Sequence, residues 1–443
     1  MHILMQVARR GSFPDVLLDI YFKEHHKLDS RDRALVTELV YGVLRWQGRL
    51  DWIINQQIKI KPDKVGLTAR LILRLAVYQL LFLDRIPAAA AVNEAVELAK
   101  GSQAKHVVRF VNGVLRTISR KSTALKEAGP EGSAEHRLAV LYSYPEWLIQ
   151  RWVTHLGNEE TESFCQASNQ IPPTTVRVNT LKTTVAAMAG SFKDLGFFVE
   201  SGKFVPEALH LRSIRTDLSS LDHYKRGDFQ VQDEASQVIA HLLQPQPGER
   251  ILDACAGLGA KSTHLAQLME NQGAIIALDN QGWKLTRLMD NAQRLGVTCI
   301  EPVERDLLEL ASSGDEFSFD RILLDAPCSG LGVIRRNPDI KWKVKPKDFR
   351  RLHLVQKKML ERLAPLLKPG GVLLYATCTV SEEENEETVK GFLAVHSNYE
   401  PESARPYLPP GSAVLLNRSG AVQTLPHNHG MDGFFAARLR RIS

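Results

Sequence analysis

One stretch decides the fold of this chain: Arg250-Ile251-Leu252-Asp253-Ala254-Cys255-Ala256-Gly257-Leu258-Gly259-Ala260-Lys261. A short apolar strand runs into a turn of small residues, and a helical pattern follows the turn. Strand and helix patterns then alternate, with strands expected at 274–279, 299–305, 321–324 and 372–377 and helices at 261–269, 284–295, 349–367 and 382–396. This alternation predicts an α/β domain with a mostly parallel sheet covered by helices on both faces. Residues 433–439 are expected to add an antiparallel edge strand.

The sequence before this domain divides into two parts with different residue patterns. From 14 to 120, apolar residues recur at helical spacing, with Ser30 and Thr68 as candidate N-caps, and they predict an all-α bundle. Residues 122–135 are small, polar and rich in helix breakers, which marks a linker. Short helix and strand patterns then indicate a small α/β domain. The sequence therefore predicts a multidomain chain, with the helical bundle at 1–130, the small α/β domain at 136–235 and the larger α/β domain at 236–443.

Gly113 lies inside the last predicted helix of the bundle, at 107–120. Glycine in a helix interior costs about 1 kcal/mol relative to alanine. Two explanations stay open: close contact with another helix, which a residue without a side chain permits, and simple tolerance of the cost.

The composition indicates a globular protein of a reducing compartment. With 443 residues and 44% hydrophobic content, the chain can bury more than one core. The longest apolar run, 71–83, is broken by Arg74, and the first ten residues lack the pattern of a signal peptide. The five cysteines are odd in number and include no Cys-x-x-Cys pair. We therefore expect a cytoplasmic protein with no membrane segment and no metal.

Basic residues are concentrated in the N-terminal part of the chain. Residues 1–130 hold 21 Lys and Arg against 12 Asp and Glu, a net charge of +9, whereas the whole chain carries +6. Such a segment is typical of an added nucleic-acid-binding domain, because phosphate contacts supply most of the sequence-independent affinity. A basic surface that is merely solvated is the alternative.

Acidic side chains follow successive strands of the predicted sheet. Ligands bind beyond the carboxyl ends of parallel strands, and the small residues after the first strand let the backbone approach a ligand. Asp279 lies 22 residues after Gly257, the spacing at which a carboxylate binds ribose hydroxyls. Asp306 and Asp325 follow the next two strands, and Asp306 is placed to receive an adenine amino group. Singly, each aspartate is explained by a turn or a helix cap. Together they predict a nucleoside-bearing cofactor, with a dinucleotide and S-adenosylmethionine both open.

Two cysteines follow strands of the same sheet, in Asp325-Ala326-Pro327-Cys328-Ser329-Gly330 and in Tyr375-Ala376-Thr377-Cys378. Carbon 5 of cytosine becomes a nucleophile when a thiolate adds to carbon 6, so thiols beside a methyl donor favour cytosine methylation over hydride transfer. Asp325 is placed to hold the base. Either cysteine alone is more simply a small buried hydrophobe. That interpretation is kept for Cys165, Cys255 and Cys299, of which Cys255 also borders the cofactor loop.

The two cysteine motifs resemble those of the RNA cytosine-5 methyltransferase family, whose sites read Asp-x-Pro-Cys-Ser-Gly and Thr-Cys. The resemblance implies S-adenosylmethionine as methyl donor, Cys378 as nucleophile and Cys328 as the residue that assists release. It implies cofactor binding by Cys255, Ala256, Gly257, Leu258, Gly259, Ala260, Lys261, Asp279, Asp306 and Asp325. Further matches at 332–342, 177–179 and 229–236 lead us to expect substrate binding by Arg335, Arg336, Arg177 and Asn179.

The cofactor loop departs from the family's usual Cys-Ala-Ala-Pro-Gly-Gly-Lys. This chain has neither the proline nor one of the glycines, at Leu258 and Ala260. Loss of the fixed proline dihedral is expected to loosen the loop, and Ala260 must avoid positive φ. Because Gly259 and Lys261 remain, we expect weaker cofactor binding at most.

The helical bundle resembles the NusB antitermination factor in three segments, 37–45, 92–100 and 110–115. The middle domain would then be an RRM-like module, and the C-terminal domain a Rossmann-like class I methyltransferase. This combination resembles a bacterial branch of the family. It implies a monomer that methylates the cytosine at position 967 of 16S ribosomal RNA, in naked RNA or in an early small-subunit precursor.

Three other interpretations stay open on the sequence. The same chemistry fits a different ribosomal position or a tRNA. The altered cofactor loop favours a non-catalytic protein that binds RNA through the helical bundle. A dinucleotide oxidoreductase explains the strand-end aspartates, but it leaves Cys328 and Cys378 without a role.

Overall fold

The computed structural model describes residues 1–101, 105–214, 216–309 and 318–443 of the chain. These residues form two compact units. The first consists of Met1–Gln170 and Ile334–Lys343, and the second of Ile171–Val333 and Val344–Ser443. The first unit thus extends beyond residue 130 and includes a segment from the C-terminal half of the sequence. The three predicted domain boundaries divide the chain more finely and stay predictions.

The first unit is all-α, as the sequence predicts. Its helices are α1 (His2–Arg10), α2 (Pro14–Glu24), α3 (Ser30–Asn55), α4 (Leu67–Phe82), α5 (Ala88–Lys100), α6 (Lys105–Arg120), α7 (Ser122–Glu127), α8 (Ala134–Leu141), α9 (Glu146–Leu156) and α10 (Asn158–Ser168). Val43, Leu50, Leu73 and Val77 of α3 and α4 are inaccessible to solvent and belong to one apolar core. Burying a side chain of this size stabilises the fold by about 1.5–3 kcal/mol, so the bundle has a substantial core of its own.

Some helix ends differ from the predictions. The carboxylate of Asp29 caps α3 by accepting a hydrogen bond from a backbone N–H of the first turn at 2.8 Å, so Ser30 is the first helical residue and not the cap. Thr68 likewise lies within the first turn of α4. The predicted linker, 122–135, contains helix α7, because Leu125 buries its side chain against the bundle core.

Of the two explanations left open for Gly113, the described structure excludes close contact with another helix. Gly113 is exposed, and a Cβ built on it meets no described atom within 4 Å. The close contact is made by Gly42 of α3, where an added Cβ would overlap the ring of Tyr78 in α4. Both glycines lie inside helical patterns, so only the packing partner distinguishes them.

The segment Ile334–Lys343 is anchored in the first unit by a buried lysine. Lys341 is completely buried, and its Nζ donates hydrogen bonds to the backbone oxygens of Arg45 and Ser143 at 2.8 and 2.9 Å. A third bond reaches the side-chain oxygen of Asn169 at 3.0 Å. Burial lowers the pKa of Lys341 well below its ordinary value. The three acceptors satisfy the buried amino group and fix the segment in place.

The second unit begins with a small antiparallel sheet. Its strands are β1 (Thr174–Val178), β2 (Phe198–Ser201), β3 (Ala208–Arg212) and β4 (Phe229–Val231), in the order β2-β3-β1-β4, accompanied by helices α11 (Val185–Asp194) and α12 (Asp222–Arg226). Val176, Phe192 and Phe229 form the centre of its core and are inaccessible to solvent. This is the predicted small α/β domain.

The larger sheet confirms the predicted Rossmann-like fold. Its strands are β5 (Arg250–Asp253), β6 (Ala274–Asp279), β7 (Ile300–Glu304), β8 (Phe319–Asp325), β9 (Leu367–Thr377), β10 (Tyr399–Glu402), β11 (Val422–Gln423) and β12 (Phe435–Arg441). The main order is β10-β12-β9-β8-β5-β6-β7, with β5 to β9 parallel. The antiparallel strand β12 lies between β9 and β10, so its predicted place at the sheet edge is wrong.

Helices pack on this sheet and connect its strands. They are α13 (Glu234–Leu243), α14 (Ala260–Leu268), α15 (Gly282–Leu295), α17 (Pro346–Leu363), α18 (Glu386–Leu393) and α19 (Pro426–His429), while the short α16 (Ile340–Lys343) belongs to the first unit. The strand order reverses between β5 and β8. Ligands bind at the carboxyl ends of the strands beside such a switch point. Among the described residues, no helix is both long enough and apolar enough to cross a bilayer.

Candidate active site

The loop after β5 leads into α14 through two glycines in the left-handed region. Gly257 has φ of 56° and Gly259 has φ of 81°, whereas Ala260, the first residue of α14, has no positive φ. An added Cβ would overlap Leu288 at Gly259 but would point into open space at Gly257. The alanine is therefore tolerated because the loop places both of its left-handed residues at the remaining glycines.

A cavity of about 320 Å³ lies beyond the carboxyl ends of β5, β6 and β8. Its lining includes the predicted cofactor-binding residues Cys255, Gly257, Asp279, Asp306 and Asp325. Of the other predicted residues, Leu258 is 53% exposed, and Ala256, Gly259, Ala260 and Lys261 shape the loop beside the cavity.

Asp279 is the most constrained of the cavity carboxylates. It is 7% exposed and accepts hydrogen bonds from the backbone N–H groups of Gly257 and Gln281, each at 3.0 Å. Lys284 lies 3.6 Å from the same carboxylate. Asp306 accepts one bond, from the N–H of Leu308 at 2.9 Å. These contacts fix the carboxylates of two neighbouring strand ends around the cavity.

Asp325 forms an ion pair with the lysine of the cofactor loop. The Nζ of Lys261 lies 2.5 Å from its carboxylate oxygen and 5.2 Å from the centre of the Phe434 ring. Burial alone would lower the pKa of Lys261, but the charge and hydrogen bond of Asp325 outweigh it and raise this pKa. The pair therefore keeps a fixed ammonium and carboxylate at the end of β8.

Cys328 and Cys378 face each other in the second unit. Their Sγ atoms are 3.3 Å apart, and both residues are partly accessible. The hydrogen bond with Cys378 and burial both raise the pKa of Cys328 well above its ordinary value. Cys328 is thus held as a neutral thiol beside the second sulfur. The helix predicted at 382–396 begins only at Glu386, so the loop after Cys378 is longer than expected.

That loop carries a functional residue the sequence reasoning missed, Glu384. This glutamate is completely buried, and its carboxylate accepts hydrogen bonds from the N–H of Ser329 at 2.8 Å and from its hydroxyl at 2.5 Å. The Ser329 hydroxyl also lies 2.6 Å from that of Thr379. The residues that follow Cys328 and Cys378 are therefore joined by their hydroxyl groups, and the carboxylate of Glu384 holds Ser329 in this contact. The acidic residues at 382–384 could have indicated this role, but the sequence pattern predicts the start of a helix there.

We predict that Glu384→Gln lowers kcat at least tenfold and leaves the KM for the methyl donor unchanged. A hydrogen bond to a buried charge contributes about 1.5–3 kcal/mol, so its loss loosens the spacing of the two sulfurs. Glu387→Gln, an exposed change on the same loop and helix, is the matched control, and Glu384→Asp should recover part of the rate. Equal kcat values for Glu384→Gln and the control in steady-state methylation would refute this positioning role.

Two of the predicted substrate-binding residues lie in the protein interior. Arg177 is 1% exposed, and its guanidinium donates to the backbone oxygen of Ala260 at 2.8 Å and to the hydroxyl of Thr263 at 3.1 Å. Asn179 is 2% exposed and donates to two backbone carbonyls. Arg177 thus joins β1 to α14, whereas Asn179 bonds to the backbone oxygens of Gly227 and Leu295, so both side chains are used in internal packing. Substrate binding by these two residues stays a prediction.

The other two predicted substrate-binding residues belong to the segment anchored by Lys341. Arg335 is 5% exposed, and its backbone oxygen accepts a hydrogen bond from Arg45 at 2.9 Å. Arg336 is half-buried. The structure therefore places Arg335 in the packing of the first unit. Arg336 stays a predicted RNA contact.

Glu207, His241 and His264 bring three potential metal ligands within 4.8 Å of one another. One carboxylate oxygen of Glu207 lies 2.8 Å from Nε2 of His241 and 2.6 Å from Nε2 of His264. Attraction between Arg177 and Glu207 balances the carboxylate charge. Both imidazoles thus bond to the same carboxylate oxygen through Nε2, and Nδ1 of His264 is buried with no hydrogen-bond partner among the described residues. The prediction of no metal stays a prediction.

This cluster predicts a loss of stability in mild acid. Burial, and secondly the charge of Arg177, lower the pKa of His264 from 6.5 to about 3. Between these values the unfolded chain binds a proton that the folded chain does not, so the free energy of unfolding falls as the pH falls. From pH 6 to pH 5 the contribution of His264 approaches 1.4 kcal/mol per pH unit, which is about one proton. The free energy of unfolding is measured in urea for the wild type and for His264→Asn at both pH values. It should fall less between pH 6 and pH 5 in the variant than in the wild type. An equal fall in both proteins would contradict the assignment.

The fold and the site together define a class of protein. A parallel sheet with an antiparallel strand between β9 and β10, and a cavity lined by strand-end aspartates, are the features of a Rossmann-like class I methyltransferase domain. A helical unit precedes it in the chain.

Comparison with known proteins identifies the family. Family models match at residues 1–120 for the NusB family, at 144–216 for the ferredoxin-like domain of RsmF/B-like methyltransferases and at 240–440 for the 16S rRNA methyltransferase RsmB/F. The chain is 37% identical to the probable ribosomal RNA small subunit methyltransferase B of Bacillus subtilis, covering 100% of this chain and 97% of that protein. The corresponding Synechocystis protein is 39% identical, with coverage of 99% and 98%. The chain therefore belongs to the RsmB/F family of 16S rRNA methyltransferases.

Solved structures agree with this assignment. The crystal structure of PH0851 superposes with a TM-score of 0.81 at 29% identity, covering 99% of this chain and 96% of that one. A methyltransferase homolog protein from Pyrococcus horikoshii gives a TM-score of 0.60 at 27% identity, covering 70% and 100%. The predicted combination of a NusB-like bundle, a small middle domain and a C-terminal methyltransferase domain is confirmed.

Proposed function

We propose that this protein transfers a methyl group from S-adenosylmethionine to carbon 5 of a cytosine in 16S ribosomal RNA. The observation that carries the proposal is the pair of facing thiols, 3.3 Å apart. A methyltransferase acting on an RNA nitrogen or oxygen needs no thiol, whereas carbon 5 of cytosine needs a nucleophile at carbon 6. Family membership makes ribosomal RNA the substrate class.

The cavity beside β5, β6 and β8 fits the proposed cofactor. Gly257 lines the cavity with no described atom within 4 Å of an added Cβ, and the carboxylates of Asp279 and Asp306 are fixed around the cavity. Asp279 is suited to ribose hydroxyls and Asp306 to the adenine amino group. When bound, S-adenosylmethionine supplies an electrophilic methyl group on a sulfonium. These residues would hold its nucleoside.

The chain's own residues supply the remaining chemistry. The thiol of Cys378 gives its proton to water, and its sulfur bonds to carbon 6 of the cytosine, which places electron density on carbon 5. Carbon 5 would then bond to the methyl group as the bond between methyl and sulfonium breaks, leaving the electron pair of that bond on the donor sulfur. The proton of carbon 5 then leaves to a base, and the carbon–sulfur bond breaks with its electron pair returning to Cys378. Cys328, kept neutral by its raised pKa, is placed to assist proton movement during release. Asp325, with Lys261, is placed to hold the cytosine ring by hydrogen bonds.

The proposal is tested by transfer of tritiated methyl from S-adenosylmethionine to protein-free 16S RNA, followed by bisulfite sequencing of the product. Signal at a single cytosine supports both the reaction and its site. Transfer without a bisulfite-resistant cytosine refutes carbon 5 as the acceptor. If the protein binds S-adenosylmethionine but transfers no methyl group, the substrate is a precursor particle or another RNA. If it does not bind S-adenosylmethionine, a non-catalytic protein is favoured.

A further inference from the structure

The outward side of α6 carries a row of basic side chains. Lys105, Arg109, Arg116 and Arg120 are exposed and are separated by four, seven and four residues. At 3.6 residues per turn these positions fall within an arc of roughly 60°, and the row is about 22 Å long. We call these four residues the basic face of α6. The opposite side of the helix is buried in the core of the first unit through Val111, Val114, Leu115 and Ile118.

Within the described parts of the chain, no ion pair joins an acidic side chain to this row. The sequence from 100 to 126 contains seven Lys and Arg residues and no Asp or Glu. Where the structure describes ion pairs next to this helix, they involve Lys100 with Glu97 and Lys126 with Asp84 instead of the basic face. An ordinary solvated helix face mixes both signs at spacings of three and four residues, because like charges there repel. The basic face therefore carries repulsion that a bound anion would relieve.

Gly113 lies in the middle of this row, between Arg109 and Arg116. It is exposed, and no described atom comes within 4 Å of the position where a Cβ would stand. The helix thus accepts the instability of an interior glycine without an internal packing reason. A glycine at this place opens the helix backbone to close approach by a partner outside the chain.

We propose that the basic face of α6 binds the sugar–phosphate backbone of the substrate RNA. The inference rests on RNA being the substrate and adds the surface that holds it. Guanidinium groups donate paired hydrogen bonds to phosphate, and backbone contacts of this kind position an RNA without reading its sequence. The four residues within the arc are all basic, and Asn112 and Gly113 lie just outside its two margins. A protein partner would require an apolar centre that this face lacks.

The test compares two double charge reversals of equal size. Arg109→Glu with Arg116→Glu changes the basic face, and Lys27→Glu with Arg31→Glu changes two exposed basic residues elsewhere in the first unit. Binding of a 16S RNA fragment is measured by filter retention over a range of salt concentrations. The first variant should weaken binding at least tenfold and reduce the slope of log Kd against log salt by about 1.4–1.8, the value for two phosphate contacts. The control should change Kd less than threefold.

A second variant tests close approach at the glycine. Gly113→Gln introduces a neutral side chain that favours helix, so the protein should become more resistant to heat while its RNA affinity falls at least threefold. Gly190→Gln is the matched control, because Gly190 is also a helical glycine with no atom within 4 Å of its missing Cβ. A more stable protein that binds RNA less well excludes misfolding as the cause.

Binding of S-adenosylmethionine, measured by calorimetry, should be the same in all variants. Unchanged RNA affinity and salt slope in the Arg109/Arg116 variant would overturn the proposal. Normal RNA affinity together with lost binding to a protein-containing small-subunit precursor would also overturn it, in favour of a protein partner. These outcomes are independent of the methylated atom, so failure of the carbon 5 assignment would leave the binding comparison intact.

Discussion

Replacing Cys378 by alanine is expected to abolish methyl transfer, with a loss in kcat of about four orders of magnitude or more. Without the sulfur, no group within reach can add to carbon 6, and carbon 5 stays too weak a nucleophile to attack a sulfonium. The neighbouring thiol of Cys328 is a poor substitute, because burial continues to raise its pKa after the hydrogen bond with Cys378 is lost. The measurement is single-turnover transfer of labelled methyl to 16S RNA at saturating protein.

The control for this variant is Cys299→Ala, which removes a half-buried cysteine outside the site. It should retain wild-type turnover, and both variants should bind S-adenosylmethionine with unchanged affinity. Turnover by Cys378→Ala at a rate near that of the control would reject the nucleophile assignment.

Replacing Cys328 by alanine is expected to allow methyl transfer but to slow release, so that a covalent protein–RNA adduct accumulates. The bond between Cys378 and carbon 6 forms and the methyl group is transferred. Release is then slow, because the thiol 3.3 Å away that assists it is missing. The adduct should appear as a slowly migrating band on denaturing gels, in an amount approaching one RNA per protein, and only when S-adenosylmethionine is present.

The double variant, Cys328→Ala with Cys378→Ala, is the matched control and should give no band. If Cys328→Ala forms no adduct and turns over normally, the release role is refuted. An adduct that persists in the double variant would show that another residue forms the bond.

The sequence was most informative at the strand ends. Asp279, Asp306, Asp325 and the two cysteines were predicted to meet at one edge of the sheet, because the carboxyl ends of parallel strands share an edge whatever the details of packing. The structure brings the three aspartates to one cavity and the two sulfurs into contact. A prediction of this kind needs only the strand order and the residue that follows each strand.

The sequence was least informative where a residue's role depends on its packing partner. Arg177 is predicted from its motif to bind the substrate, but the terminal nitrogens of its guanidinium donate to groups inside the protein. Gly42 and Gly113 are equivalent in pattern, yet only Gly42 faces a ring. Glu384 was assigned to a helix, although the chain continues as a loop that carries it to Ser329. Such contacts join positions far apart in the chain, and no local pattern records them.

The burial of Lys341 affects whether the first unit can be produced as a separate fragment. A recombinant fragment of residues 1–170 would lack Ile334–Lys343, leaving the carbonyls of Arg45 and Ser143 without their donor and an empty channel where the lysine stem lay. The helical unit is thus completed by an insertion from the enzyme to which it is fused. Expression of the helical unit by itself therefore requires both stretches of sequence, 1–170 and 334–343, in one polypeptide.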